Sequence, residues 1–220
     1  MAERKVQKAV VAKAGAQLRV TAAAFVASVS SVGEVPAGPA EFAMCGRSNV
    51  GKSSLINALT NQYQLARVSK TPGRTQRVNL FDLTLSSGEQ VRLVDLPGFG
   101  HASAPGQVTA TFSPMIQKYL LDQPLMRAVV LLLDARRDRD DDAIGFAQWL
   151  RENGIEVVVI ATKIDEIPKT RRFGVQTRLQ KEYELAQPPF AVSTLEKVGI
   201  DDVLRVIRRL ARQPIPQHLS

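Results

Sequence analysis

The run Gly46-Arg47-Ser48-Asn49-Val50-Gly51-Lys52-Ser53 has the spacing G-x-x-x-x-G-K-[ST]; it follows a short apolar stretch and opens the run S-S-L-I-N-A-L. Glycines so placed let successive backbone N–H groups converge on phosphate oxygens, and the start of a helix adds partial positive charge at the same point. Lys52 is then positioned for the β and γ phosphates of a nucleotide, and the hydroxyl of Ser53, with Ser54 beside it, for Mg²⁺. The motif by itself leaves adenine and guanine, and several reactions, open.

Three further stretches narrow the chemistry. Asp95-Leu96-Pro97-Gly98 ends a second strand-like run; Asp95 can hold a Mg²⁺-bound water, and the Gly98 N–H can meet the γ-phosphate because glycine permits close backbone approach. Gly73-Arg74-Thr75-Gln76-Arg77 lies in a turn-rich segment where Thr75 is placed to complete the Mg²⁺ shell, although a structural turn explains the local pattern equally well. Thr162-Lys163-Ile164-Asp165 sits at the end of a buried-looking strand, where open α/β sheets bind ligands. The Asp165 carboxylate can accept from the N1–H and 2-amino groups of guanine. Lys163 can lay its stem along the base or brace the phosphate loop. Val192-Ser193-Thr194 closes the last strand, with backbone N–H groups directed at the guanine O6. The catalytic candidates are Lys52, Thr75 and Gly98.

The elements that must position these groups are legible as alternation. Short β-rich runs near Glu41–Cys45, Val78–Leu85, Val91–Asp95, Ala128–Asp134, Val157–Ala161 and Phe190–Val192 are separated mostly by amphipathic helical patterns. Ser86-Ser87-Gly88 joins two of the runs as a hairpin, so the expectation is an α/β fold: a mixed, mostly parallel six-stranded sheet with one antiparallel strand and helices on both faces. The acidic run Asp138–Asp142 precedes a helix and suits its positive end better than a metal.

At 220 residues and 45% hydrophobic content the chain fits one domain of ordinary size. The reading divides it into a basic, flexible N-terminal segment over 1–35, a nucleotide-binding domain over 36–213 and a tail over 214–220. No apolar run reaches the roughly 18 residues of a membrane span. Arg4, Lys5, Lys8 and Lys13 with the apolar run that follows could pass for a targeting peptide, but a basic tail leading into a first strand fits better. One cysteine, Cys45, excludes an internal disulfide and reads as a small core residue at a strand end. The formal charge of +8 favours a polyanionic partner. Arg205, Arg208, Arg209 and Arg212 share one face of the last helix, a candidate RNA contact on the expectation that no acid stands among them.

The stretches G-R-S-N-V-G-K-S-S-L-I-N-A-L, S-K-T-P-G-R-T-Q, L-V-D-L-P-G-F-G, L-L-L-D-A-R and T-K-I-D, in this order over residues 40–210, resemble the EngB (YihA/YsxC) family of ribosome-biogenesis GTPases, in the TrmE-Era-EngA-EngB-septin-like class. The resemblance implies a P-loop GTPase fold with Mg²⁺ and GTP or GDP; slow hydrolysis is expected from the apolar Phe99 directly after Gly98. It also implies a bacterial cytoplasmic protein that assists large ribosomal subunit assembly and is needed for normal growth, division and septation; a monomer is expected, and the last-helix arginines and basic tail are the expected contact with ribosomal RNA. Phe99 stands where Ras-like GTPases carry a water-orienting glutamine. Asn49 matches a position at which related GTPases hold K⁺ beside the phosphates. His101 stands where the family often has tyrosine, and Glu166 where it often has lysine. A guanine-nucleotide-dependent placeholder with negligible hydrolysis, and a P-loop kinase, are the competing functions.

Overall fold

The computed structural model describes residues 17–66, 77–99 and 114–214. Its strands are β1 (Val20–Val29), β2 (Ala40–Gly46), β3 (Val78–Leu85), β4 (Gln90–Asp95), β5 (Met126–Asp134), β6 (Val157–Thr162) and β7 (Phe190–Ala191). The helices are α1 (Lys52–Thr60), α2 (Pro114–Asp122), α3 (Asp141–Glu152), α4 (Lys169–Glu182) and α5 (Ile200–Ala211). The strands form one sheet in the order β1-β3-β4-β2-β5-β6-β7. β3 pairs antiparallel with both β1 and β4, and every other pairing is parallel, so β3 alone runs against the rest.

Alternation along the central strands divides the core in two. Phe42 and Met44 of β2, Leu93 of β4 and Val130 and Leu132 of β5 pack on α1 and α5 through Leu55, Ile56, Leu59, Val203, Ile207 and Leu210. Ala43 and Cys45 of β2, Val94 of β4 and Val129 and Leu131 of β5 pack on the opposite face against α2, α3 and α4 through Tyr119, Leu120, Phe146, Leu150 and Leu179. Central strands covered on both faces are near-continuous apolar runs, as parallel sheets require. Cys45 is fully buried, and that burial pushes its thiol up to about 12, so it stays protonated and inert at neutral pH.

The sheet has seven strands rather than the expected six. The additional one, β1, comes from the stretch V-T-A-A-A-F-V-A-S-V that the sequence reading placed in the N-terminal segment. Half of its side chains are exposed, most of the rest are partly buried and only Val29 is fully buried, so no alternating apolar stripe announces it. Pairing with β3 holds it, with Phe25 edge-on to Phe81 at a centroid distance of 5.8 Å. Two register irregularities, at Val20/Ala22 and Phe25/Ala27, bend this edge, a feature that discourages pairing with another chain.

Candidate functional site

The phosphate loop, 46–53, leaves β2 at Gly46 and enters α1 at Lys52. Two glycines are needed for geometric reasons. A Cβ on Gly46 would lie 2.7 Å from the Leu132 carbonyl oxygen, and Gly51 takes φ +103° as the N-cap of α1. Asn49 also lies in the left-handed region, at φ 63°. Ser53 and Ser54 occupy the first turn of α1, partly exposed.

The stretch after β4 is laid directly on this loop. The Leu96 N–H donates to the Met44 carbonyl, the Phe99 N–H to the Gly46 carbonyl and the Ser48 N–H to the Phe99 carbonyl, each at 3.2 Å. Gly98 passes so close that a Cβ there would meet the Ser48 nitrogen at 3.1 Å. Lys52 and Asp95 form an ion pair at the base of the site, and Pro97 is partly exposed beside them. Phe99 itself is buried at 4% exposure, packed on Phe146 at a centroid distance of 6.3 Å. It belongs to the core, and its side chain does not enter the site.

Arg47 turns its guanidinium away from the loop. It pairs with Asp140 in a two-point contact, donates to Asp142 Oδ2 at 3.0 Å, and sits 5.9 Å from the Phe99 ring centroid. Asp140 also caps α3, accepting from the Ala143 N–H at 3.2 Å. The acidic run therefore caps as expected, and it also anchors the phosphate loop, which the sequence reading did not anticipate.

The third stretch is tied to the loop from the other side. The Thr162 hydroxyl lies 2.7 Å from the Val50 carbonyl and 3.0 Å from the Leu133 carbonyl, its single proton shared between them. Lys163 takes φ 58° and directs its ammonium onto the Asn49 carbonyl at 2.8 Å and Asp134 Oδ2 at 3.0 Å. Of its two anticipated roles, Lys163 thus fills the bracing one. Asp134 ends β5 and is nearly buried. Burial pushes its carboxyl up, but bonds from Arg136 and Lys163 outweigh this and hold it well below the usual range. Asp134 was missed from sequence; the signal was an acid at a strand end, in the D-A-R of L-L-L-D-A-R. Arg136 also pairs with Glu166 at 2.6 Å, which gives a partner to the glutamate that departs from the family pattern.

Asp165 lies on the 3-10 turn Ile164–Glu166, partly exposed, and its carboxylate accepts no bond among the described residues. The buried Ile164 donates its N–H to the Val192 carbonyl at 3.3 Å, and the Val192 N–H donates to the Ala161 carbonyl at 2.8 Å. Ser193 is fully buried; its N–H donates to the Val198 carbonyl and its hydroxyl accepts from the Glu196 N–H at 2.9 Å. Thr194 follows, partly exposed. The two loops therefore form one ledge beside the phosphate loop.

Of the remaining candidates, Arg77 is not brought to the phosphates: its guanidinium donates to the Ser28 carbonyl at the end of β1 at 3.0 Å. Gly73, Arg74, Thr75 and Gln76 lie outside the described residues, as do His101, the basic residues of the first sixteen positions and the last six positions. The α5 arginines do not form an acid-free face. Arg205 pairs with Asp202 at 2.8 Å, and Glu89, in the β3–β4 hairpin, takes both Arg208 at 3.3 Å and Arg212.

A phosphate cradle on β2 and α1, an Asp-x-x-Gly stretch laid against it and a Lys-x-Asp ledge braced onto it, all at the carboxyl ends of a mostly parallel sheet, define a P-loop GTPase. Residues 41–163 match the model of the 50S ribosome-binding GTPase family. The probable GTP-binding protein EngB of Anaeromyxobacter sp. strain Fw109-5 is 40% identical over 84% of this chain and 88% of its own length. A solved probable GTP-binding protein engB covers 80% of this chain and 100% of its own, with TM-score 0.58 and 23% identity. Era in complex with MgGDPNP and part of 16S ribosomal RNA has TM-score 0.64 at 20% identity, over 82% of this chain and 59% of Era. At these identities the two solved structures speak for the fold alone. The chain belongs to the 50S ribosome-binding GTPases and, within them, to the EngB family.

Proposed function

We propose that this protein binds guanine nucleotide with Mg²⁺, hydrolyses GTP slowly, and uses the nucleotide state as a switch for docking on the large ribosomal subunit or its precursor in the bacterial cytoplasm. The observation that carries the nucleotide assignment is the bond from Lys163 to the Asn49 carbonyl. It fixes the Asp165 ledge and the phosphate loop as one frame, so base and phosphates are read together. Asp165, with no competing partner among the described residues, accepts from the base, and Ser193 and Thr194 close the ledge beside it.

The residues suit Mg²⁺ with a nucleoside triphosphate: a hydroxyl at Ser53 on the first turn of α1, the Asp95 carboxylate beside it, and a cradle at Gly46 and Gly51. Bound there, the metal supplies charge neutralisation at phosphate oxygens. The chain contributes positioning: Lys52 on the β and γ phosphates, the Gly98 N–H on the γ-phosphate, and Thr75, outside the described residues, in the metal shell. Phosphoryl transfer depends mainly on such positioning and electrostatics. Phe99 supplies no water-orienting group, so turnover is slow without help from K⁺ held near Asn49 or from the ribosomal partner.

Under this reading the G domain takes in β1 (Val20–Val29) at the edge of its sheet as well as the expected 36–213, the protein is monomeric, and its loss disturbs growth and septation through subunit assembly. Single-turnover hydrolysis with and without large ribosomal subunits, in K⁺ and in Na⁺, tests it. Stimulation by subunits is the expected result. Tight GTP binding with no turnover under any of these conditions would instead establish a nucleotide-dependent placeholder, a reading that the buried Phe99 also favours. Phosphate transfer to an acceptor other than water would overturn both.

A further inference from the structure

We propose that the outward face of α4 is a docking strip for single-stranded RNA, with Phe173 as the stacking platform. The inference rests on the reading that the protein docks on a ribosomal particle, and it names the surface that does so. At 3.6 residues per turn, the α4 positions Lys169, Phe173, Gly174 and Lys181 fall on an arc of about 140°, and all four are exposed. No carboxylate shares that arc, and neither lysine forms an ion pair among the described residues.

Two features of the strip have no structural explanation. Phe173 leaves 76% of its surface in water between Lys169 and Lys181 on the arc, which the fold gains nothing from. Gly174 sits inside the helix, and a Cβ there would meet nothing within 4 Å. Glycine in a helix interior is unfavourable relative to alanine, and here neither packing nor a positive φ asks for it. A bare patch of helix backbone beside an exposed ring is what close approach of a planar base requires. Arg172, on the inner side, pairs with Glu196 at 3.1 Å and brings up the loop carrying the exposed Leu195 and Lys197, which extends the strip toward the Asp165 ledge.

The occupant is set by charge. Aromatic and apolar surface framed by unpaired lysines suits a polyanion with exposed bases, which is single-stranded RNA. The α5 face is less suited, because acids already hold three of its arginines.

The test uses the full chain with a non-hydrolysable GTP analogue, measured for binding to large ribosomal subunits and to a single-stranded RNA oligonucleotide across a salt series. Phe173→Ala is expected to weaken both by about fivefold or more, the loss of one base stacked on the ring. Lys169→Ala and Lys181→Ala each reduce the salt slope by about 0.7. Gly174→Ala is the sharpest variant: it raises the thermal midpoint by about 2 °C and still weakens binding, so misfolding cannot account for the loss.

If wild type binds subunits and the variants bind equally well, the strip is overturned while the ribosomal reading stands. If wild type binds the oligonucleotide with this variant pattern but not the subunits, the strip stands and the ribosomal reading falls. Variants that weaken subunit binding with no change in salt slope and no effect on the oligonucleotide would make the strip a protein-docking face and overturn the RNA assignment. Binding to neither probe overturns both.

Discussion

The ring of Phe99 packs against Phe146, centroid to centroid 6.3 Å, and not into the phosphate site one residue away. Its backbone meanwhile makes two hydrogen bonds to the phosphate loop, at Gly46 and Ser48. The residue that replaces the familiar glutamine is therefore a fastener between the phosphate loop and the core. Restoring the polar side chain by Phe99→Gln is expected to leave turnover no faster than wild type and to lower stability by about 2–4 kcal/mol, because an amide enters an apolar cluster. Single-turnover hydrolysis and urea unfolding check this; a faster variant of unchanged stability would refute the fastener role.

Lys163 stands between the Asn49 carbonyl and Asp134, so the base ledge and the phosphate loop share one ammonium. Lys163→Met is expected to weaken GDP and GTP alike by about tenfold to a hundredfold, the value of a charge-assisted bond. Asp134→Asn, which touches neither base nor phosphate, should produce much of the same loss. The double variant should lose little more than Lys163→Met alone, because the two residues act as one unit. Nucleotide titration by fluorescence reads all three; additive losses would show that Asp134 acts independently.

The contrast between these residues shows where the sequence was readable. Phosphate-loop spacing, D-L-P-G and T-K-I-D are short, local patterns whose chemistry depends on strand ends, and the six strands that carry or flank them followed from apolar alternation. β1 had no such signal, since it is an exposed edge held by pairing with β3. Asp134 and the pair Arg47–Asp140 were also hidden, because their partners lie 29 and 93 positions away and only the sheet order brings them together. Arg208 and Arg212 of α5 were misread for the same reason, since Glu89, over a hundred positions earlier, reaches them from the hairpin, whereas the Arg205–Asp202 pair is local and was legible one turn away.

Far from the strand ends that carry the site, Arg92 is 1% exposed and ties together β2, β3 and the stretch that leads into β2. It donates to Asp82 at 2.6 and 2.9 Å and to the Pro36 carbonyl at 2.7 Å, and lies 3.4 Å from Glu41, which also accepts from the Tyr119 hydroxyl at 2.8 Å. Gly38 is part of the arrangement, since a Cβ there would sit 2.1 Å from the guanidinium. Arg92→Met is expected to cost about 3–5 kcal/mol, because it leaves the buried Glu41 without its cation. Adding Glu41→Gln should recover part of that loss. Urea unfolding of the single and double variants decides; an equal loss in both would show that packing, and not the uncompensated charge, sets the cost.

Glu89 gives the fold a pH-dependent clasp between the β3–β4 hairpin and α5. Burial pushes its carboxyl up, but the Ser87 hydroxyl, its own backbone N–H, Arg212 and Arg208 outweigh this and draw it from the ordinary 4.5 down to about 2. A carboxyl depressed on folding stabilises the native state above its unfolded pKa, so the contribution is complete above about pH 4.5. It is lost as pH falls from there through about 2. Solvent screening at this site keeps the contribution near 1 kcal/mol. Glu89→Gln should therefore be less stable than wild type by about that amount at pH 7, with the difference shrinking steadily below pH 4.5 and closing near pH 2. Paired urea titrations of the two proteins across that range measure the gap directly; a gap that does not change with pH would mean that the clasp is held by shape and not by charge.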